Sequence, residues 1–199
     1  MRLLSAEPPN LGEAREALGD IIKDGRRASD VIQHIRGLVK KTPAQTDLLD
    51  INEVIIETIA LARSEILKNG VSVETPLGRD LPPIRADRVQ VQQVIMNLVM
   101  NAVEAMSIMD EGRRELRIAT VRDREDHVSI RVSDSGPILE PECLKRFFEA
   151  FYSTKPTGMG IGLSICRSII EAHEGRIWAT ANEPYGVTLH VSLPGSRLR

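Results

Sequence analysis

Two asparagines one turn apart are the first residues here whose type and spacing could do chemistry. In the stretch QVQQVIMNLVMNAVEAM, Val94, Ile95, Leu98, Ala102, Ala105 and Met106 form one apolar face. Asn97, Asn101 and Glu104 stand at i, i+4 and i+7 on a second face. Asparagine is a weak helix former, so a pair inside an otherwise apolar helix calls for a use. Surface polarity or a buried hydrogen bond is one reading. The sharper one is an oxygen-rich face toward a hard cation, because Mg2+ takes oxygen ligands octahedrally and shares them with water and phosphate oxygens.

A second candidate is STKPTGMGIGLSI, Ser153 to Ile165, where Lys155 precedes Gly158, Gly160 and Gly162. Glycines ahead of a helix let backbone N–H groups face an anion. The spacing excludes a P-loop, whose lysine follows its glycines. It also excludes the dinucleotide fingerprint, which needs GxGxxG directly after a strand. What remains is a flexible loop, or a lid able to wrap a polyphosphate with Lys155 adding charge. A third candidate is VSIRVSDSGP. A strand pattern ends at Asp134, where a carboxylate beside Gly136 could accept a hydrogen bond from a ligand's exocyclic amine. Asp-Ser-Gly-Pro is equally an ordinary turn.

The elements that position these groups follow from pattern and punctuation. Asp50 with Glu53 reads as a capping box opening a helix to Lys68, with Gly70 as its stop. Asp87 with Gln90 reads as another, opening a helix to about Met109. Strands are expected at 71–75, 115–124, 128–134, 176–182 and 187–193, a short helix within 135–148, and a helix near 163–173. Strands sharing one sheet with helices on one face make an α+β fold, a two-layer α/β sandwich. Before it, Leu11, Ala14, Leu18, Ile21, Gly25, Ala28, Ile32, Ile35 and Val39 alternate by three and four. That is the seam of a long coiled-coil-like helix ended by Pro43, and its partner must come from outside it.

The boxes come in a telling order: NLVMNAVEAM, DSGP, FFEAFYSTK, GMGIGLSI, then GVTLHVSLP. This series resembles the N, G1, F and G2 boxes and last strand of the ATP-binding domain of sensor histidine kinases, a Bergerat-fold superfamily shared with gyrase, heat-shock chaperones and mismatch-repair ATPases. The resemblance covers about 47–194. The preceding EAREALGDIIKDGRRASDVIQHIRGLVKK resembles the second helix of the kinase dimerisation hairpin. The implied division is 1–44 as a partial dimerisation region and 45–199 as the catalytic domain.

The resemblance implies ATP and Mg2+ as ligands. Asn101 would ligate the metal and Asn97 support it. Asp134 would bond the adenine amine, with Gly136 letting the backbone approach. Lys155, Gly158, Met159, Gly160, Gly162 and Leu163 would enclose the phosphates, and Thr188 would help hold adenine. Hydrolysing relatives carry a glutamate where Asn97 stands. A neutral amide cannot take a proton, which favours transfer over hydrolysis. None of His34, His127, His173 and His190 sits in a phosphoacceptor-like box, so the acceptor histidine is expected on another segment. Two departures stand out: Ile138 replaces the second G1 glycine, and Ala150 replaces a common proline. If position 138 needs positive φ, Ile138 is strained and weakens ATP binding.

Bulk properties set outer limits. The chain has 199 residues, 42% hydrophobic, with a net charge of −2. A basic nucleic-acid footprint is therefore absent. No apolar run approaches the ~20 residues of a membrane helix. Cys143 and Cys166 form no CxxC pair and read as free thiols in a reducing compartment. A cytoplasmic location is expected, with no membrane contact from this segment and a parent chain that could be membrane-anchored. The expected partners are a dimerisation helix carrying the acceptor histidine, a response-regulator receiver domain, and a second copy in a homodimer. The competing readings are a degenerate nucleotide-binding or dimerisation module and a gyrase-class ATPase.

Overall fold

A computed structural model describes residues 11–13, 15, 17–19, 21, 25, 46–109, 112–123, 126–153 and 160–196. The chain divides into two compact units, Met1–Lys41 and Thr42–Arg199. In the first, every described residue is helical, and the seam residues Leu11, Leu18 and Ile21 are exposed. The expected seam residues Ala14, Ala28, Ile32, Ile35 and Val39, together with His34 and Pro43, lie outside the described residues.

The second unit is a sheet with helices on one face. Its elements are β1 (Asp47–Leu49), α1 (Ile51–Lys68), β2 (Ser72–Glu74), β3 (Ile84–Ala86), α2 (Arg88–Ser107), β4 (Glu115–Arg122), β5 (His127–Asp134), α3 (Pro141–Arg146), α4 (Gly162–Ala172), β6 (Arg176–Ala181) and β7 (Val187–Pro194). The main sheet runs β2-β4-β5-β7-β6, with β2 parallel to β4 and the other pairs antiparallel. Period-two alternation sends Leu116, Ile118, Val128, Ile130, Val132, Val187, Leu189, Val191 and Leu193 into the core. There they meet Val94, Ile95, Leu98, Ala102 and Met106 of α2, the central helix, which packs against both α1 and α4. The sandwich expected from the sequence is the fold observed.

Two strands were not expected. β1 and β3 pair antiparallel as a separate ribbon, Leu49 opposite Ile84. At three residues each they are too short for alternation to register in the sequence. Each runs straight into a helix cap: Asp50 accepts the N–H of Asn52 at 2.8 Å, and Asp87 accepts those of Val89 at 2.9 Å and Gln90 at 3.1 Å. The caps are as expected, but their reciprocal halves are rewired. Arg88 draws Glu53 and Glu57 into ion pairs at 3.2 and 2.7 Å. The N–H of Asp87, which a capping box would give to Gln90, donates to His173 Nε2 at 3.1 Å. Gly70 ends α1 as expected, with φ +63 and the paired returns Gly70 N–H to Leu67 and Val71 N–H to Ile66.

Candidate functional site

Helix α2 carries Asn97, Asn101 and Ala105 at four-residue steps along one line, about 12 Å from first to last at ~1.5 Å per residue. Each end of that line touches a different element. Asn97 Nδ2 donates to Cys166 Sγ of α4 at 3.6 Å. At the other end, a Cβ on Gly136 would lie 3.4 Å from Ala105 Cβ. Half-buried Asn101 stands between them. Burial pushes the Cys166 thiol up to about 12, with the Asn97 contact opposing it weakly. That sulfur is therefore a neutral neighbour rather than a thiolate.

Asp134 closes β5 on the core side. Its Oδ1 accepts the N–H of Gly136 at 2.8 Å and that of Val187 at 3.3 Å. The carboxylate is thus fixed beside the Ala105 end of the asparagine line. Gly136 has no room for a side chain, because a Cβ there would come within 2.8 Å of Asp134 Oδ1. Gly186 is needed for the same reason: its φ is +87 and a Cβ would sit 1.9 Å from the Asp134 carbonyl oxygen.

Helix α4 begins one turn before Cys166, so Gly162 lies on the side facing α2. Its N-cap, Ile161, gives no side-chain hydrogen bond. Ser164 does not cap either, since its hydroxyl donates to Ile161 O at 2.7 Å. A helix start offers N–H groups to an anion, and among the described residues no side chain caps this one. Gly162 is exposed and a Cβ there would meet nothing within 4 Å. Leu163 is half-buried against the core. Gly160 does a different job: at φ +64 it lies against Tyr152, and its carbonyl accepts the Phe151 N–H at 3.0 Å. Lys155, Gly158 and Met159 lie outside the described residues. Asn97, Asn101 and the Asp134–Gly136 pair are thus strung along the second half of α2, with α4 at the Asn97 end and Asp134 at the Ala105 end.

The structure places two further residues that the sequence singled out. Thr188 does not share a face with the Asp134 side chain. It is paired with Ser133 in the β5–β7 register, and its hydroxyl lies 2.7 Å from Ser133 Oγ and donates to Asn182 Oδ1 at 2.6 Å. Val187, one residue earlier, occupies the core face and supplies the backbone N–H to Asp134. Ile138 is not among the described residues with positive φ and is 62% exposed, so the expected backbone strain is absent. Of the described histidines, His173 is buried, bonded to Asp87 N–H through Nε2 and to Ile169 O through Nδ1. His190 stacks on Trp178 at 5.0 Å, and burial, then Arg131, lowers its pKa. Asn182 and the Val187 N–H both bond Asp134, and sequence reasoning named neither.

Among the described residues no group of three His, Cys, Asp or Glu side chains could hold a metal. A cation on the Asn101 amide would draw its remaining oxygens from water and phosphate. That donor set suits Mg2+ with a nucleotide and does not suit zinc.

Residues 86–197 match the family described as histidine kinase-, DNA gyrase B- and HSP90-like ATPase. The chain belongs to that family. Within it, this domain resembles sensor kinases. It is 38% identical over 98% of its length to sensor histidine kinase TmoS of Ectopseudomonas mendocina, and 35% identical over 98% to sensor protein FixL of Bradyrhizobium diazoefficiens. It spans 20% of the first protein's length and 38% of the second's. The catalytic domain of histidine kinase ThkA in a nucleotide-free form superposes with a TM-score of 0.67 at 32% identity, covering 76% of this chain and 96% of that one. This is a sensor-kinase catalytic domain, and the gyrase-class alternative is set aside. Within this domain the contact of Asn97 with Cys166 shows its amide acting as a donor.

Proposed function

We propose that the chain binds Mg·ATP and transfers the γ-phosphoryl group to a histidine on a segment outside the boxes found here. The observation that carries this is Asn97, one turn before Asn101, in place of a carboxylate. Its amide cannot take a proton from water. In the proposed step an imidazole nitrogen attacks the γ-phosphorus. An N–P bond forms as the bond to the ADP oxygen breaks, and the electron pair leaves with ADP. Positioning and charge neutralisation supply most of the acceleration in such transfers. Asp134 would accept from the adenine amine, with Gly136 allowing the base to approach. Gly160, Gly162 and Leu163, with Lys155, Gly158 and Met159, would enclose the phosphates. Asn101 would hold Mg2+ with Asn97 supporting it; the ion, when bound, neutralises charge on the phosphate oxygens.

In the full kinase, residues 1–44 would belong to the dimerisation region of a homodimer and residues 45–199 to the catalytic domain. The phosphoryl group would pass on to a response-regulator receiver domain on the cytoplasmic side. A structure of histidine kinase ThkA with response regulator TrrA, 27% identical with a TM-score of 0.75 and covering 92% of this chain and 52% of that one, supports that partner class. The test is incubation with ATP radiolabelled at its γ-phosphate and a protein carrying the dimerisation hairpin. Acid-labile, base-stable label on histidine is expected. Free phosphate without transfer would contradict the proposal.

A further inference from the structure

The strand-end network beside Asp134 has more parts than holding a carboxylate requires. Asn182, directly after β6, donates its backbone N–H to Gly186 O at 2.9 Å, closing the loop into β7. Its side chain bridges two strands. Nδ2 donates to the Asp134 carbonyl oxygen at 3.2 Å, and Oδ1 accepts from Thr188 Oγ1 at 2.6 Å. The amide can point only one way. A carbonyl accepts and never donates, so the NH2 must face Asp134 and the oxygen must face the hydroxyl. With Thr188 donating to Asn182, the shared proton at 2.7 Å must come from Ser133. A directional chain therefore runs Ser133, Thr188, Asn182, Asp134 main chain.

We infer that Asn182 is the positioning residue that sets the aim of the Asp134 carboxylate, and hence the preference of the site for a purine bearing an exocyclic amine. The inference rests on the proposed nucleotide reading. Asp134 is the last residue of β5: β4 still pairs with it through Leu116, but the ladder to β7 ends at Ser133 and leaves that side to other contacts. Four residues hold it on that side. Gly186 packs against its carbonyl, Val187 N–H and Gly136 N–H hold Oδ1, and Asn182 takes the carbonyl oxygen. Of these, only Asn182 acts through a side chain. Thr188 reaches the purine site through Asn182 rather than by direct contact.

The test is titration calorimetry on the 199-residue chain with Mg·ATP and with purine riboside triphosphate, which lacks the exocyclic amine. Asn182→Asp keeps the acceptor for Thr188 but sets a carboxylate oxygen against the Asp134 carbonyl. Loss of the hydrogen bond plus this repulsion should weaken ATP binding about 10-fold. Asn182→Ala should cost about 5-fold on the same footing. Neither should change binding of the analogue, and neither should add to Asp134→Ala. Equal losses for both nucleotides, or additivity with Asp134→Ala, would overturn the inference and leave the Asp134 reading standing. If Asp134→Ala leaves the parent's ATP-to-analogue affinity ratio unchanged, the adenine contact falls and this inference with it. Should Asn182→Asp not fold, Thr188→Val cuts the same chain one bond earlier and should lower ATP affinity selectively by about 3-fold. An unchanged ATP-to-analogue ratio in that variant overturns the inference.

Discussion

At the C-terminal end of α4, His173 uses its backbone N–H and both ring nitrogens. Its N–H returns to Ile169 and Ile170, Nδ1 bonds Ile169 O at 2.8 Å, and Nε2 receives the Asp87 N–H from the start of α2. At the N-terminal end of the same helix, Ile161 provides no cap and Gly162 presents bare backbone. Protein contacts seal one end, while under the proposed function the other end would receive the phosphates. On that reading, burial marks where the fold needs the helix, and the first turn of α4 marks where a ligand would complete it.

Placing a charge at the open end should break this contrast most visibly. Gly162→Asp finds room, since a Cβ there meets nothing within 4 Å. A carboxylate at a helix N-terminus stabilises by about 0.3–1 kcal/mol. The same charge repels a triphosphate, so ATP affinity should fall at least about 100-fold while the thermal midpoint holds or rises. Calorimetry and a melting curve on one sample check both signs; lowered stability with normal ATP binding would mean the start of α4 is structural.

His173→Ala should give the mirror image. Leaving the Asp87 N–H and Ile169 carbonyl without their side-chain partner costs about 2–3 kcal/mol. Urea denaturation would show it as a lowered midpoint, with ATP affinity at low urea close to that of the parent. An ATP defect without a stability defect would place His173 in the site instead.

Cys166, one turn inside the open end, sharpens the comparison through pH. The unfolded thiol ionises near 9, whereas the folded one keeps its proton to about 12. The unfolded state thus loses a proton that the native state holds. This contribution to stability is fully present below pH 9 and declines as pH rises toward 12, at up to about 1.4 kcal/mol per unit. Cys166→Ala should flatten that alkaline decline in denaturation curves. Native Cys166 should also resist alkylation at pH 8, with half-buried Cys143 reacting first by mass spectrometry.

The smallest effect belongs to Ile138. Without positive φ, replacing it with glycine relieves no strain, and only crowding at the mouth remains. Ile138→Gly should tighten ATP binding by no more than about 2-fold, well below the ~1–2 kcal/mol expected of a left-handed β-branched residue. A 10-fold gain by calorimetry would restore the strain interpretation.

What the sequence disclosed and what it hid divide along physical lines. Helix α2 was legible because its apolar face repeats over 20 residues and its cap is a single aspartate. Asn97, Asn101 and Asp134 could be singled out because local pattern marks them as misfits. β1 and β3 were not, because three residues hold no period. The face taken by Thr188 was in fact written in the sequence: Val187, Leu189, Val191 and Leu193 claim one side of β7 and leave Thr188 on the other. Asn182 could not have been found, since nothing local links it to Asp134, 48 positions earlier. The partner of His173 was hidden for the same reason.

The most direct test of the account is a crystal structure of the chain with Mg2+ and a non-hydrolysable ATP analogue. The account predicts the adenine amine on the Asp134 carboxylate and Asn101 Oδ1 about 2.1 Å from the metal. The phosphates should lie over the first turn of α4. A nucleotide seated elsewhere, or Asn101 and Asp134 turned into separate environments, would contradict it.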